Sequence, residues 1–362
     1  MADPIRVLQV YPQMNNAGTE KVIFNLYNHI DRSKIQFDFL VDRPGELDYM
    51  ILELGGTIHT IHETNNRQYE NRLYSFFKDH PEYRIVHTHT DDRMGIVLKA
   101  AKKADVVCRI AHSHNYRGDV PRIAKYYKMI SSWNIERYAN CFLACSNEAA
   151  EWLFPRRYKK ADVWNNAIEL DKYLYDKGER NKRREEFGIP KQAKVICHVG
   201  RFAEQKNHRR ILELVNAIVA KQSDVYVLLV GVGPLENEMK SIAVSDRILF
   251  LGNRHDVPML LNVGDVFLFP SLYEGLGIVA VEAQASGMLC IASTNVPKAA
   301  DIGTGKFIQI SLRESNDNWI KAIMNELNGD HSNRRVFSEM SLRTSYNIET
   351  IAKKAQEFYL DV

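Results

Sequence analysis

The chain has 362 residues, of which 45% are hydrophobic and 26% are charged, and its formal net charge is +3 at pH 7. This length favours two domains over one hydrophobic core, and the composition excludes disordered and fibrous classes. The small net charge gives no reason to expect a nucleic-acid partner, and no apolar run is long enough to span a bilayer. The first residues, MADPIRVLQVYP, are typical of a buried strand, not of a signal peptide, so we expect a cytoplasmic protein with its five cysteines reduced.

Short β-branched runs alternate with amphipathic stretches in the first part of the chain. The amphipathic stretches at 20–30 and 94–104 predict helices. The predicted strands are 5–11, 37–41, 57–61, 85–89, 107–114 and 141–146. Near-continuous apolar strands that alternate with helices predict a parallel sheet covered on both faces.

The alternation stops at residues 155–194, a polar stretch crowded with lysine and arginine. A second series of predicted strands follows at 195–200, 225–231, 247–252, 266–271 and 289–293. Two similar α/β halves joined by a charged stretch predict two Rossmann-like domains facing across a cleft, with ligands beyond the carboxyl ends of the strands. We predict domains at 1–165 and 166–345, and a last helix within 346–362 that can pack back on the first domain.

The segment FPSLYEGLGIVAVEAQAS, residues 269–286, predicts a strand end, a glycine turn and a helix. The turn delivers the amides that follow Gly275, those of Leu276, Gly277 and Ile278, to a helix N-terminus, which favours an anion such as phosphate. Two carboxylates in this apolar run, Glu274 and Glu282, are better suited to sugar hydroxyls than to phosphate. The alternative is that the first caps the helix and the second pairs with a surface cation.

The segment HVGRFAEQKNH, residues 198–208, predicts a second strand, glycine turn and helix. Arg201 and Lys206 lie on either side of this turn, and such cations can clamp a diphosphate. They can equally be two solvated charges that open an exposed helix. The turn GVGPLENEM, which begins at Gly231, lacks the third glycine of a dinucleotide fingerprint, so we do not expect an NAD site.

Together these segments resemble the retaining glycosyltransferases of family 4, which have the two-domain GT-B fold. The resemblance rests on the G-R-x4-K of residues 200–206 and on the E-x7-E of residues 274–282 within P-S-x-x-E-G-L-G. The segments RIAHSHN (109–115) and LGNRHDV (251–257) are most similar to enzymes that build capsular polysaccharides and exopolysaccharides.

The resemblance implies roles for individual residues. Stabilisation of the leaving phosphate and orientation of the donor sugar fall to Arg201, Lys206, Glu274 and one of His112 and His114. Donor binding falls to Gly18, Gly200, Gly231, Arg254, Gly275, Leu276, Gly277, Ile278 and Glu282. The family pattern implies a nucleotide-sugar donor, with uridine as the expected base, a glycan or lipid-linked acceptor, and no metal, in keeping with the absence of a D-x-D carboxylate pair.

The first half matches the family more loosely. Residues 16–20, Asn-Ala-Gly-Thr-Glu, stand where the family has G-G-x-E, and Asn-Ala-Ile-Glu at 166–169 resembles a junction motif that we interpret as a hinge. His112 and His114 point to the same side of one strand, and we slightly prefer His114 as the residue that binds a hydroxyl of the donor sugar. A structural role is the alternative for both, and it is the role we expect for the similar pair His87 and His89.

The resulting hypothesis is a retaining, metal-independent glycosyltransferase of surface polysaccharide synthesis. The alternatives are a sugar-nucleotide epimerase of similar shape and a catalytically silent subunit that binds a sugar nucleotide. The basic stretch 156–184 is either a solvated linker or a peripheral contact with anionic lipid at the inner face of the cell membrane.

Overall fold

The computed structural model describes residues 3–15, 18–90, 93–114 and 122–362, and for residues 122–128 it describes the backbone alone. The chain forms two compact units. The first unit is Met1–Ile168 together with Ile348–Val362, and the second unit is Glu169–Asn347. The backbone N–H of Ile348 donates to the carbonyl of Ile168 at 3.1 Å, so the first unit closes where the chain returns to it.

The first unit alternates strands and helices along the chain. Its strands are β1 (Ile5–Val10), β2 (Ile35–Val41), β3 (Ile58–Thr60), β4 (Ile85–Thr88), β5 (Cys108–Ser113), β6 (Cys141–Ala144) and β7 (Asp162–Val163). Its helices before the crossing are α1 (Gly18–His29), α2 (Asp48–Glu53), α3 (Asn66–Asp79), α4 (Met94–Lys103), α5 (Arg122–Tyr138) and α6 (Asn147–Leu153).

The second unit repeats this alternation. Its strands are β8 (Lys194–Val199), β9 (Val225–Val230), β10 (Ile248–Phe250), β11 (Val266–Phe269), β12 (Leu289–Ser293) and β13 (Phe307–Ile310). Its helices are α7 (Lys177–Glu186), α8 (His208–Val219), α9 (Glu236–Ile242), α10 (Val257–Val263), α11 (Ile278–Ala285), α12 (Asn316–Leu327) and α13 (Arg334–Ser341). The chain then returns to the first unit as α14 (Ile348–Leu360).

Each unit contains one parallel sheet. The strand order is β3-β2-β1-β4-β5-β6-β7 in the first unit and β10-β9-β8-β11-β12-β13 in the second. The order reverses at β1 and at β8, and ligands of such sheets bind beyond the carboxyl ends of the strands at that point. The predicted strands are all present and the prediction of two Rossmann-like α/β domains is confirmed, although β7 and β13 were not predicted.

The first sheet is covered on both faces, as its apolar strands require. On one face Val7 and Ile110 pack in a core that includes Tyr359 of α14. On the other face Leu8 and Val86 pack with residues of α3 and α4. Because side chains alternate along a strand, Gln9 faces the same side as Val7, toward α14.

The stretch 155–194 is not a solvated linker throughout, which corrects part of the sequence-based interpretation. Arg184 is fully buried and Arg180 is half-buried, and both guanidinium groups pair with Asp265, at 2.9 and 2.5 Å. They also donate to carbonyl groups at the end of α10, where the helix dipole favours cations. Burial raises the pKa of Asp265, but Arg180, Arg184 and Arg334 outweigh burial and lower it.

These two arginines stabilise the second unit from within, so they are not available to lipid. Among the described residues, no helix combines the length and the apolar character that crossing a membrane would need.

Candidate functional site

Two loops of the second unit meet at the carboxyl ends of the neighbouring strands β8 and β11. The backbone N–H of Leu272 donates to the carbonyl of Gln205 at 2.8 Å. The side-chain amide of Asn207, whose φ of 56° is left-handed, donates to the carbonyl of Pro270 at 3.0 Å. We call residues 200–207 and 270–277 the double loop, because these bonds join the two segments into one structure.

A glycine allows β9 to approach the double loop closely. Gly231 has a φ of 132°, and a Cβ atom there would overlap the carbonyl oxygen of Gly200. Packing of backbone against backbone therefore accounts for Gly231 without any ligand. A Cβ at Gly200 would in turn lie 3.2 Å from Cγ of Lys206, so this glycine leaves room for the lysine stem.

The lysine of one predicted motif pairs with the first glutamate of the other. Nζ of Lys206 lies 2.6 Å from Oε1 of Glu274, and the side chains are 17% and 6% exposed. Nζ also lies 4.9 Å from the ring centroid of Phe269, in cation–π range. The interpretation of Lys206 as a solvated cation is therefore wrong. The interpretation of Glu274 as a helix cap is also wrong, because the N-cap of α11 is Gly277 and no side chain accepts a capping hydrogen bond there.

The hydrogen-bond donors around this ion pair are unused. Arg201 is exposed, and its guanidinium makes no hydrogen bond or ion pair with any residue that the structure describes. The amides of Leu276, Gly277 and Ile278 likewise donate to no partner within the described part of the chain. These amides begin α11, where the helix dipole is positive, so the double loop has the donors that an anion requires.

The second glutamate is held by a buried phenol. Glu282 is 8% exposed, and the hydroxyl of Tyr173 donates to its Oε1 at 2.9 Å. Burial and the negative charge of Glu282 raise the pKa of Tyr173, so the hydroxyl stays protonated. The sequence had offered a surface cation as the alternative partner, and the partner that the structure describes is this phenol. No motif in the sequence pointed to Tyr173, which lies in the charged stretch between the domains.

Four histidines meet at the carboxyl ends of β4 and β5 in the first unit. This histidine cluster consists of His87, His89, His112 and His114, and each ring is buried. Nε2 of His87 lies 3.0 Å from Nδ1 of His112, and Nδ1 of His89 lies 2.7 Å from Nε2 of His114. In the sequence these residues form two separate pairs. In the structure the parallel pairing of β4 and β5 brings all four side chains into one group.

The cluster is electrically neutral at pH 7. Burial, with repulsion from neighbouring rings, lowers the pKa of His87, His89 and His112 well below the ordinary value. Burial lowers the pKa of His114 to about 4. Nε2 of His112 is buried and has no hydrogen-bond partner among the described residues.

Comparison with known proteins decides the family. Residues 179–341 match the family model "Glycosyl transferases group 1", and residues 17–172 match "Glycosyltransferase Family 4". The putative glycosyltransferase EpsF of Bacillus subtilis is 31% identical over 358 residues, which cover 95% of this chain and 93% of EpsF. This chain belongs to glycosyltransferase family 4. The resemblance that its sequence showed is thereby confirmed.

Two further comparisons place this family 4 glycosyltransferase among its relatives. The UDP-Gal:alpha-D-GlcNAc-diphosphoundecaprenol alpha-1,3-galactosyltransferase of Escherichia coli is 30% identical over 235 residues, 61% of this chain and 60% of the relative. The crystal structure of Anabaena Alr3699/HepE in complex with UDP has a TM-score of 0.83 and 15% identity, and the match covers 99% of this chain and 100% of HepE. The second likeness shows the fold, and it confirms the GT-B class.

One residue that the family resemblance assigns to donor binding is engaged with a neighbour. Arg254 follows β10, and its guanidinium binds both carboxylate oxygens of Asp256, at 2.8 and 2.7 Å. This hydrogen bonding raises the pKa of Arg254. A nucleotide-sugar donor would have to compete with Asp256 for the guanidinium of Arg254. The role of Arg254 in donor binding therefore stays a prediction.

The remaining predicted residues of the glycosyltransferase lie in the first unit. Gly18 begins α1 with a left-handed φ of 53°, after β1, while Asn16 and Ala17 before it lie outside the described residues, as does Asn115. In the expected hinge motif, Oδ1 of Asn166 lies 3.3 Å from Nδ1 of His114. The hinge motif thus contacts the histidine cluster, and the chain leaves the first unit within it, after Ile168.

Proposed function

We propose that this family 4 glycosyltransferase transfers one sugar from a UDP-sugar to a hydroxyl of a glycan or lipid-linked acceptor in surface polysaccharide synthesis. The proposal depends on one observation, the gathering of Arg201, Lys206 and the unused amides of α11 at the double loop. The UDP bound to Anabaena HepE and the UDP-Gal in the name of the E. coli relative support uridine as the base.

The double loop supplies what a departing nucleotide needs. Negative charge develops on the β-phosphate as its bond to the sugar breaks, and fixed donors aimed at that charge lower the barrier. Arg201 offers planar donors, and the amides of Leu276 and Gly277 add the positive end of α11. We therefore propose that transfer proceeds without a divalent cation on the diphosphate. Since no nucleophile is evident in the double loop, we also propose front-face displacement with retention at the anomeric carbon.

Donor binding would exchange the partner of Lys206. Glu274 neutralises this lysine at 2.6 Å, and a carboxylate repels phosphate. We propose that the diphosphate takes over Nζ of Lys206, which frees Glu274 to accept hydrogen bonds from hydroxyls of the donor sugar. Glu282, held in place by Tyr173, would accept hydrogen bonds from the ribose hydroxyls.

Among the histidines, the structure favours His112 over His114 as a ligand for sugar hydroxyls. Both ring nitrogens of His114 face polar atoms: its Nε2 lies 2.7 Å from Nδ1 of His89, and its Nδ1 lies 3.3 Å from Oδ1 of Asn166. Nε2 of His112 has no such partner within the described residues. We therefore propose His112 for this role, which replaces our slight preference for His114.

Incubation of the chain with UDP, GDP and ADP sugars, with and without a saccharide acceptor, tests the proposal. Release of UDP that accelerates with the acceptor, together with a product of unchanged anomeric configuration by NMR, is the expected result. Added Mg²⁺ or Mn²⁺ should leave the KM for the donor unchanged. A changed sugar still attached to its nucleotide would indicate an epimerase instead, and no turnover with intact binding of UDP would indicate a silent subunit.

A further inference from the structure

Each ring of the histidine cluster has one nitrogen that faces another ring of the cluster, the inner nitrogen, and one that faces away, the outer nitrogen. The inner nitrogens are those already paired at 3.0 and 2.7 Å. Three of the four outer nitrogens face oxygen atoms: Nδ1 of His87 lies 2.7 Å from the hydroxyl of Tyr359, Nε2 of His89 lies 2.8 Å from Oε1 of Gln9, and Nδ1 of His114 lies 3.3 Å from Oδ1 of Asn166.

The protons of this arrangement do not balance. An amide oxygen only accepts, so the outer nitrogens of His89 and His114 must each carry a hydrogen. A neutral imidazole has one N–H, and both inner nitrogens then present lone pairs to each other at 2.7 Å. A bound cation, a shared extra proton or a rotated amide would each remove this clash.

The arrangement has the features of a metal site. His87, His89 and His112 offer ligand atoms that all lie within 4.8 Å of one another. Metal-bound histidines usually donate their other N–H to an oxygen, as the outer nitrogens of His87 and His89 can do to Tyr359 and Gln9. Neutral imidazole is also the form that binds Zn²⁺ and related ions.

We propose that the histidine cluster binds one divalent transition-metal ion of the Zn²⁺ class. His87, His89 and His112 are the ligands through their inner nitrogens, since these three residues form the group within 4.8 Å. The inner nitrogens of His87 and His112, now 3.0 Å apart, must separate slightly, because a tetrahedral ion holds nitrogen ligands at about 2.0–2.1 Å from itself. All three ligands are neutral, so we expect weaker binding than at sites that contain thiolates.

A bound ion would also fix the tautomer of His112. With Nδ1 on the metal, the proton must lie on Nε2, the nitrogen that has no partner among the described residues. This ring would then offer a defined hydrogen-bond donor to a ligand hydroxyl. The metal proposal concerns the first unit alone and does not rest on the proposed function.

Cobalt titration of the full-length chain tests this site directly. The protein is stripped with a chelator, dialysed, and titrated with Co²⁺ while its visible absorption is recorded, and Zn²⁺ is then added as a competitor. We expect one ion per chain, an absorption spectrum typical of tetrahedral nitrogen ligation, and displacement by Zn²⁺. His89→Gln and His112→Gln should each weaken Co²⁺ binding by at least about 100-fold, and Gln9→Ala by about 10-fold or more.

A histidine outside the cluster provides the matched control. His59 is half-buried in the same unit, and its Nε2 lies 2.8 Å from the hydroxyl of Tyr83. His59→Gln should bind Co²⁺ like the wild type, and circular dichroism should show that each variant keeps its secondary structure. A folded wild type that binds no Co²⁺, or binding that His89→Gln leaves intact, overturns the proposal in favour of a shared proton or a rotated amide. The readout is metal binding, so an inactive transferase would not affect this result.

Discussion

The two units have the same strand order around β1 and β8 but opposite chemistry beyond those strands. In the second unit the double loop gathers positive charge, with Arg201 exposed and unpaired among the described residues and Lys206 bound to the buried Glu274. In the first unit the corresponding edge has the histidine cluster, which is buried and neutral. One topology therefore supports two kinds of site, since the loops and strand ends decide what binds.

The difference limits what each unit can bind. Phosphate requires positive charge and free N–H groups, and the double loop of the second unit combines both within the described residues. Neutral rings cannot stabilise a developing negative charge to the same extent, but they can bind hydroxyls or a metal ion. The predictions below test this division, beginning with the largest effect.

Removal of charge from the double loop should have the largest consequence. Lys206→Ala and Arg201→Ala should each reduce turnover by about 100- to 1000-fold, because each removes a donor from the developing phosphate charge. Steady-state kinetics with a UDP-sugar provide the measurement. Lys240→Ala is the matched control, since this exposed lysine of the same unit pairs with Glu236 away from the double loop. Near-normal rates in both loop variants would remove the phosphate clamp from the mechanism.

Acidification should destabilise the second unit through His208, the residue that directly follows the first segment of the double loop. Burial and then the charge of Lys206 lower the pKa of His208 from 6.5 to about 4. Between these two pH values the unfolded state binds more protons, so the free energy of unfolding falls as the pH drops through this window. The stability is fully present above about pH 6.5, and His208 alone should account for a loss of about 3 kcal/mol by pH 4.

Chemical denaturation at pH 7 and pH 4.5 checks this effect, with hydrogen exchange at β8 and β9 to assign it to the second unit. His208→Gln should lessen the dependence on pH. An unchanged dependence in that variant would show that the proton binds elsewhere.

Weaker effects should follow at the second glutamate. Glu282→Gln keeps the size of the side chain but removes the charge that would accept ribose hydroxyls, so UDP affinity should fall by about 10- to 100-fold. Calorimetry gives the affinity directly, and kcat at saturating donor should change less than KM. An unchanged affinity would exclude the ribose role of Glu282.

The smallest effect is expected at Tyr173. Tyr173→Phe removes the hydroxyl that donates to Glu282 at 2.9 Å, and it should reduce UDP affinity by about 2- to 10-fold through misplacement of the carboxylate. Combined with Glu282→Gln, it should add little, because both changes act on the same contact. Full additivity would show that Tyr173 acts independently of Glu282.

The fold was predictable because the strands of both sheets are continuous apolar runs. The strands that escaped prediction are β7, with two residues, and β13, whose residues FIQI are only partly buried. Neither presents the uninterrupted apolar pattern of a central strand. Edge strands of this kind are stabilised by their neighbour, so their own sequence says little.

The sequence pointed to residues that meet in the structure, but not to their pairings. The sequence identified Lys206, Glu274 and Glu282, but not that the first two bind each other across 68 residues. It missed Tyr173, and it interpreted Arg184 as solvated although the side chain is fully buried. Charge in a sequence is usually exposed, and only the tertiary structure shows which carbonyl or carboxylate compensates it.

The return of the chain at Ile348 determines the order in which the protein can be built. A ribosome completes the whole of Glu169–Asn347 before it synthesises α14, and α14 supplies Ala355 and Tyr359 to the core of the first unit. Until then that core is uncovered on the side where α14 packs, and Nδ1 of His87 lacks the hydroxyl of Tyr359 as its partner. The second unit can therefore fold during translation, while the first must wait with its nascent apolar surface uncovered.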